Sequence, residues 1–257
     1  MTAGSRREKG RKMADDMSIF TEKFMVMANE VDAGANAKPT TILDYLQNTA
    51  WRHYISFEKA GGQVLADGLG WVVSKIKIKM ERMPEWEENI KVKTWSPGFE
   101  KLYAYRNFEI TGREDKVIGT STFAWLVIDI NKKRPVRPSD YEKIWPFHKT
   151  ELFYDMKSKV EKPENPSLSA PFKAVYSDID VNGHVNNVKY VQWIIDRLDA
   201  GMLEDRRFQG AEINFLAESF AGEDMKTGIA EKDGAFLCNV IRQRDNKELC
   251  RAKIVYK

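Results

Sequence analysis

"YSDIDVNGHVNNVKYVQWIID", residues Tyr176 to Asp196, decides the fold and points to the chemistry. Its first half is polar, with Asp180, Asn182 and His184 at alternate positions. Alternate residues of an extended chain share one side, so this spacing predicts three polar groups facing one way. Its second half turns apolar with helical spacing, through Val188, Val191, Ile194, Ile195 and Leu198. The pattern predicts a helix from Asn187 to Met202 with an Asn at its N-cap.

Strand signals surround that stretch. One precedes it, at 172–178, and four follow, at 210–219, 224–232, 235–243 and 247–257. The same order fills the first half of the chain. A strand at 20–31 leads to a helical pattern at 40–62, which Thr40 or Thr41 starts and Gly61-Gly62 ends. Strands at 71–80, 89–95, 101–111 and 117–129 come next. The chain is therefore an internal repeat, with Ile42 matched to Val188 and Ile90 to Met225. A long helix followed by antiparallel strands is an α+β plan, in which a curved sheet wraps the apolar face of the helix. Two such units side by side can join their sheets. The expected boundaries are a disordered extension at 1–16, a first unit at 17–146, a proline-rich linker at 147–171 and a second unit at 172–257.

Composition excludes several function classes. A net charge of +3 without a clustered basic excess argues against a nucleic-acid partner. No apolar run approaches the roughly 20 residues that a membrane span needs. The two cysteines, Cys238 and Cys250, are too few for a disulfide scaffold, and their strand register sets them out of opposition. Two buried thiols and a reducing, cytoplasmic location are expected. There is no glycine-rich phosphate loop, dinucleotide fingerprint or clustered metal-ligand spacing, so neither a cofactor nor a metal is expected.

Read as Asp-x-Asn-x-His-x-Asn-Asn, the run Asp180, Asn182, His184, Asn186, Asn187 resembles the signature of acyl-acyl carrier protein thioesterases, which are tandem hotdog-fold enzymes. "TSTFAWLVIDINKKRPVRPSD" (120–140) and "TWSPGFEKLYAYRNFEI" (94–110) resemble that family too, and the likeness extends over 18–257. It implies a catalytic carboxylate at Glu218, 34 residues after His184. Plant members carry Cys next, where this chain has Ser219, so no thiol nucleophile stands there. Thioester hydrolysis needs an activated water and stabilisation of the oxyanion. Glu218 is expected to act as general base, and Asn182 to position the water. His184 and N–H groups at the helix start would face the thioester oxygen, and Asp180 would orient the His184 ring. Glu218 as a direct nucleophile is the alternative. Asn186, Asn187 and Ser219 flank the site as candidate substrate contacts.

In the first half, Met83 stands opposite Glu218 and the loop "DAGANAKPTT" has no His. The resemblance implies that this unit holds the acyl chain. Lys75, Lys77 and Lys79, with Lys132, Lys133 and Arg134, are candidates for docking an acidic acyl carrier protein, or else a plain solvated face. The expected function is release of free fatty acid from acyl-acyl carrier protein. The alternatives are an acyl-coenzyme A thioesterase, a hotdog dehydratase or hydratase, and a non-catalytic acyl-binding protein. The last requires that Glu218 and His184 stay apart. A homodimer is compatible with the sequence, although the repeat already supplies the pairing that single-unit proteins gain by dimerising.

Overall fold

The computed structural model describes residues 17–59, 68–137, 145–198 and 207–257. The stretch at 1–16 lies outside them, as do 60–62 and 199–202 of the two expected helices. The first unit comprises β1 (Ile19–Met25), α1 (Pro39–Lys59), β2 (Leu69–Met80), β3 (Asn89–Glu100), β4 (Tyr103–Thr111), β5 (Val117–Asp129) and the short β6 (Arg134–Val136). The second follows as β7 (Ser167–Leu168), β8 (Phe172–Lys173), α2 (Asn187–Ile195), β9 (Phe208–Phe215), β10 (Asp224–Lys232), β11 (Ala235–Arg242) and β12 (Lys247–Tyr256).

Among the described residues, all strands join one antiparallel sheet ordered β1-β3-β4-β5-β2-β9-β12-β11-β10-β7, with β6 on β5 and β8 on β10. Counted outward from the centre, both units use their strands in the same order. The junction is β2 against β9, from Lys75 opposite Asn214 to Lys79 opposite Gly210. A Cβ on Gly210 would stand 2.4 Å from the Ile78 carbonyl oxygen, so only glycine admits this approach. The apolar stripes of both helices lie in one continuous core, which holds Ile42, Leu46, Val188 and Ile194 with Phe108, Phe236 and Leu249. Burial of that area is the main stabilising term.

Cys238 pairs with Ala252 and Cys250 with Val240, so the thiols occupy different rungs, both free and buried. Three local expectations are corrected. The helix at 40–62 starts at Pro39, whose missing N–H costs nothing there, while the Thr41 hydroxyl donates to the Glu30 carbonyl instead of capping. The strand at 172–178 shrinks to Phe172–Lys173, because the Asp178 carboxylate accepts the Val175 N–H and bends the chain into a short 3₁₀ turn. Helix α2 ends at Ile195, after which Arg197 and Leu198 bond three residues back and tighten the turn.

The lysines of β2 are also reassigned. Lys75 is buried, and its ammonium donates to the carbonyls of Met156, Lys157 and Ser158 at 2.7, 3.3 and 3.3 Å. Lys77 binds the Ser158 hydroxyl and Glu212, and Lys79 lies over the Tyr154 ring. The connecting segment therefore lies across this face. Lys75 and Lys77 anchor it, and Lys75 is closed to a docking partner.

His53 of α1 is buried and neutral. Its Nδ1 accepts from Arg106 at 2.8 Å, which leaves Nε2 to donate to the Met17 carbonyl at 2.7 Å. Burial first, and the Arg106 charge second, push its pKa down from 6.5 to about 3. A histidine with a depressed folded pKa contributes full stability above its unfolded pKa and loses it as pH falls through that window. At pH 4.5 the loss is on the order of 2–3 kcal/mol. Denaturant titrations at pH 7 and 4.5 should therefore show a smaller acid-induced loss for His53→Gln than for the wild type.

Candidate active site

The polar run before α2 is a closed loop, not the extended approach expected from its spacing. Ile179 and Val185 form a bridge across its base, and the Asp180 N–H donates to the His184 carbonyl at 2.8 Å. Inside the loop, Asp180 Oδ1 accepts the Asn182 N–H at 2.8 Å and the His184 N–H at 3.4 Å. Gly183 takes φ +76°, the left-handed conformation that favours glycine. An Asp side chain that bonds backbone two residues on mimics a turn, which explains why an Asp begins this run.

The first unit contains the same loop. Val31 bridges Ala37, the Asp32 N–H donates to the Asn36 carbonyl at 2.8 Å, and Asp32 Oδ1 accepts the N–H groups of Gly34 and Asn36 at 2.9 and 3.0 Å. Ala37 donates to the Pro84 carbonyl just as Val185 donates to that of Ser219. Asp32 thus matches Asp180, Gly34 matches Asn182, Asn36 matches His184 and Met83 matches Glu218. Helix positions follow the same offset, which sets Ile42 against Tyr190, not Val188 as the sequence comparison had it. What both units keep is frame; what differs is available for chemistry. By that criterion Asp180 shapes the loop. Its bonds go to backbone N–H groups and, at 3.5 Å, to the Asn182 amide, and the expected contact with the His184 ring is not made.

His184 and Glu218 do converge. His184 Nε2 stands 3.5 Å from Glu218 Oε2, with both side chains about two-fifths exposed, at 38% and 40%. That distance is longer than a hydrogen bond, so Nε2 is not committed to the carboxylate. The edge of Phe220 steadies the imidazole, with ring centroids 5.1 Å apart. The sequence did not foresee the third partner. Lys133, in the turn between β5 and β6 of the first unit, donates to Glu218 Oε1 at 2.7 Å. This ammonium first, and His184 after it, hold the Glu218 pKa below the usual carboxylate value. Glu218 therefore stays ionised through the neutral range.

The flanking residues divide differently from the expectation. Asn186 is the N-cap of α2, its Oδ1 accepting the Val188 N–H at 2.8 Å. The helix start is thus capped and offers fewer free donors than foreseen. Asn187 opens the helix, half-buried. Ser219 is buried, its hydroxyl paired with that of Tyr190 at 2.7 Å, which removes it from the substrate side. Asn182 is exposed on the loop. Lys132 pairs with Asp129, and Arg134 is exposed. A groove of about 620 Å³, lined by Val175, Tyr176, Ile179, Asp180, Ala221 and Gly222 among others, opens beside the loop. No group of three or more His, Cys, Asp or Glu among the described residues could hold a metal ion.

Comparison with known proteins shows the family and the fold. The model described as acyl-ACP thioesterase N-terminal domain matches residues 17–143, and that of the C-terminal domain matches 161–257. The chloroplastic palmitoyl-acyl carrier protein thioesterase of Gossypium hirsutum is 25% identical over 271 residues, covering 94% of this chain and 64% of its own length. The chain thus spans a little under two thirds of that curated relative. The crystal structure of an acyl-ACP thioesterase from Bacteroides thetaiotaomicron superposes with a TM-score of 0.82 at 25% identity, covering 95% of this chain and 99% of that one. The 12:0-ACP thioesterase from Umbellularia californica shares the fold, with a TM-score of 0.83 at 18% identity over 93% and 97% of the two chains. The two units are tandem hotdog domains, as the resemblance implied.

If Asp180 and Asp32 do the same work, their variants behave alike. Asp180→Ala and Asp32→Ala should each cost about 1–2 kcal/mol in denaturant unfolding, because two backbone donors lose their acceptor. Asp180→Asn, which keeps an acceptor oxygen, should recover most of that loss.

Proposed function

The chain belongs to the acyl-ACP thioesterase family, and we propose that it hydrolyses the thioester of an acyl-acyl carrier protein to free fatty acid and carrier thiol. The observation that carries this reading is the meeting of His184, on the loop before α2, with Glu218, after β9, 3.5 Å apart and open to solvent, where the first unit has Asn36 and Met83. A non-catalytic acyl-binding protein would not need them together.

The chemistry follows from the charges. Glu218, held ionised, takes a proton from a water lying between it and the scissile carbonyl. The hydroxide forms a bond to the carbonyl carbon, and the carbonyl π pair moves onto oxygen. His184 Nε2–H, uncommitted at 3.5 Å, faces that oxygen and stabilises the developing charge. Asn182 helps to hold the water from the rim of the loop. When the oxyanion collapses, the C–S bond breaks, and the thiolate takes the proton stored on Glu218. Ser219 and both cysteine thiols are buried, and burial raises the thiol pKa values, so none of these three is placed to act as a nucleophile.

We assign the acyl chain to the first unit. A second apolar cluster there, built on Phe57, Val127 and Trp145 with Tyr54, Trp71 and Val136 around it, includes strand residues on both sides of the turn that carries Lys133. The relatives are named for palmitoyl and 12:0 chains, so length preference differs within this fold. Two reduced thiols fit a reducing compartment such as the cytoplasm, and no helix among the described residues is long and apolar enough to cross a membrane.

Glu218→Gln and His184→Ala should each lower kcat for acyl-acyl carrier protein by roughly 100-fold or more. Ser219→Ala should stay within a few-fold of wild type, since its hydroxyl faces Tyr190. Free fatty acid measured by mass spectrometry reads the outcome, with acyl-coenzyme A assayed in parallel. A fully active Glu218→Gln enzyme would overturn the assignment.

A further inference from the structure

One contact between the units, from Lys133 to Glu218, reaches the candidate site itself. The turn after β5 is rigidly built: Asp129 Oδ1 accepts the N–H groups of Asn131 and Lys132 at 3.0 and 2.9 Å, and Lys133 itself takes φ +51°. Left-handed non-glycine residues recur in the turns of this chain, among them Lys101, Asp233 and Asn246, so the conformation alone marks nothing. Here the conformation comes with a specific result, because the Lys133 ammonium reaches Glu218 Oε1 at 2.7 Å. Lys132 and Arg134, its neighbours in sequence, make no such contact and stay on the surface.

We propose that Lys133 is a positioning residue for Glu218: the unit that lacks the chemistry supplies the cation that fixes the catalytic carboxylate of the other. This inference rests on the proposed thioesterase reading. Fixing Oε1 on Lys133 turns Oε2 toward His184, where the attacking water must sit. It also favours the ionised form, which is the form able to accept the water's proton. The titratable groups facing Glu218 come from three places. Lys133 belongs to the β5–β6 turn, His184 to the loop before α2, and Lys247 to the start of β12, where it acts at longer range. Arg242 of β11 donates to the Glu218 backbone carbonyl and not to its carboxylate. Among these, Lys133 is the side chain within hydrogen-bond distance of the carboxylate. The same assignment gives Lys133 a partner within the molecule, although its side chain stays as exposed as those of Lys132 and Arg134.

A carrier-free substrate separates positioning from docking. Lys133→Met, Lys133→Arg and wild type would be compared on a dodecanoyl thioester of N-acetylcysteamine across pH 4–9, with the Glu218 carboxyl followed by ¹³C NMR in each. Positioning predicts that Lys133→Met lowers kcat roughly tenfold at pH 7 with little change in KM. It also predicts that the acid limb of kcat and the Glu218 titration both move to higher pH, and that Lys133→Arg largely restores each. A Lys133→Met enzyme with an unchanged acid limb and carboxyl titration would overturn the proposal. So would normal turnover of this thioester with a defect confined to KM when acyl-acyl carrier protein is assayed in parallel. If wild type hydrolyses no thioester, the thioesterase reading fails, while the carboxyl titration still decides whether Lys133 holds Glu218.

Discussion

The pairing of β2 with β9 is the constraint on which the rest of the molecule depends. Five residues on each strand turn two separate sheets into one, and Gly210 makes the approach possible by having no side chain where Ile78 presents its carbonyl. Without that junction each unit would expose an open sheet edge at β2 or β9, a surface prone to pairing with other chains. With it, β5 of the first unit lies two strands from β9 of the second. The turn at the end of β5 can then reach the residues that follow β9, Glu218 among them. The geometry of the site is a consequence of how the sheets were joined.

The duplication also separates frame from function within a single chain. Asp32 and Asp180 hold loops with matching hydrogen bonds, yet only one loop carries an imidazole. Both carboxylates accept backbone N–H groups of their own loop, which is a shaping contact in either unit. Asp180 stands in the signature beside His184 and invites comparison with the carboxylate of a catalytic triad. Its twin shows the other role.

Much of this was legible in the sequence. Strand alternation and the repeat gave the tandem plan, because period and order survive divergence. The pairing of Glu218 with Met83 was readable from the strand register, and an Asn cap, at 186 or 187, from its place before an apolar run. What was not legible depended on contacts distant in the chain or on backbone bonds without period. The loop at Asp180 looked extended because alternate polar residues are read as a strand, whereas a side chain accepting its own backbone folds them into a turn. Lys75 looked solvated because the segment that buries it has no periodic pattern. Lys133 looked like one more surface charge until the fold brought it to Glu218.

The three carbonyls gathered around Lys75 have a further consequence. A single ammonium, without a carboxylate partner among the described residues, fastens the middle of the connecting segment to β2, the strand of the first unit that lies at the seam. The connection therefore behaves less like a tether than like a rivet. The relative placement of the two units is fixed along its length as well as at the β2–β9 seam, and the inter-unit contact at Glu218 inherits that stiffness.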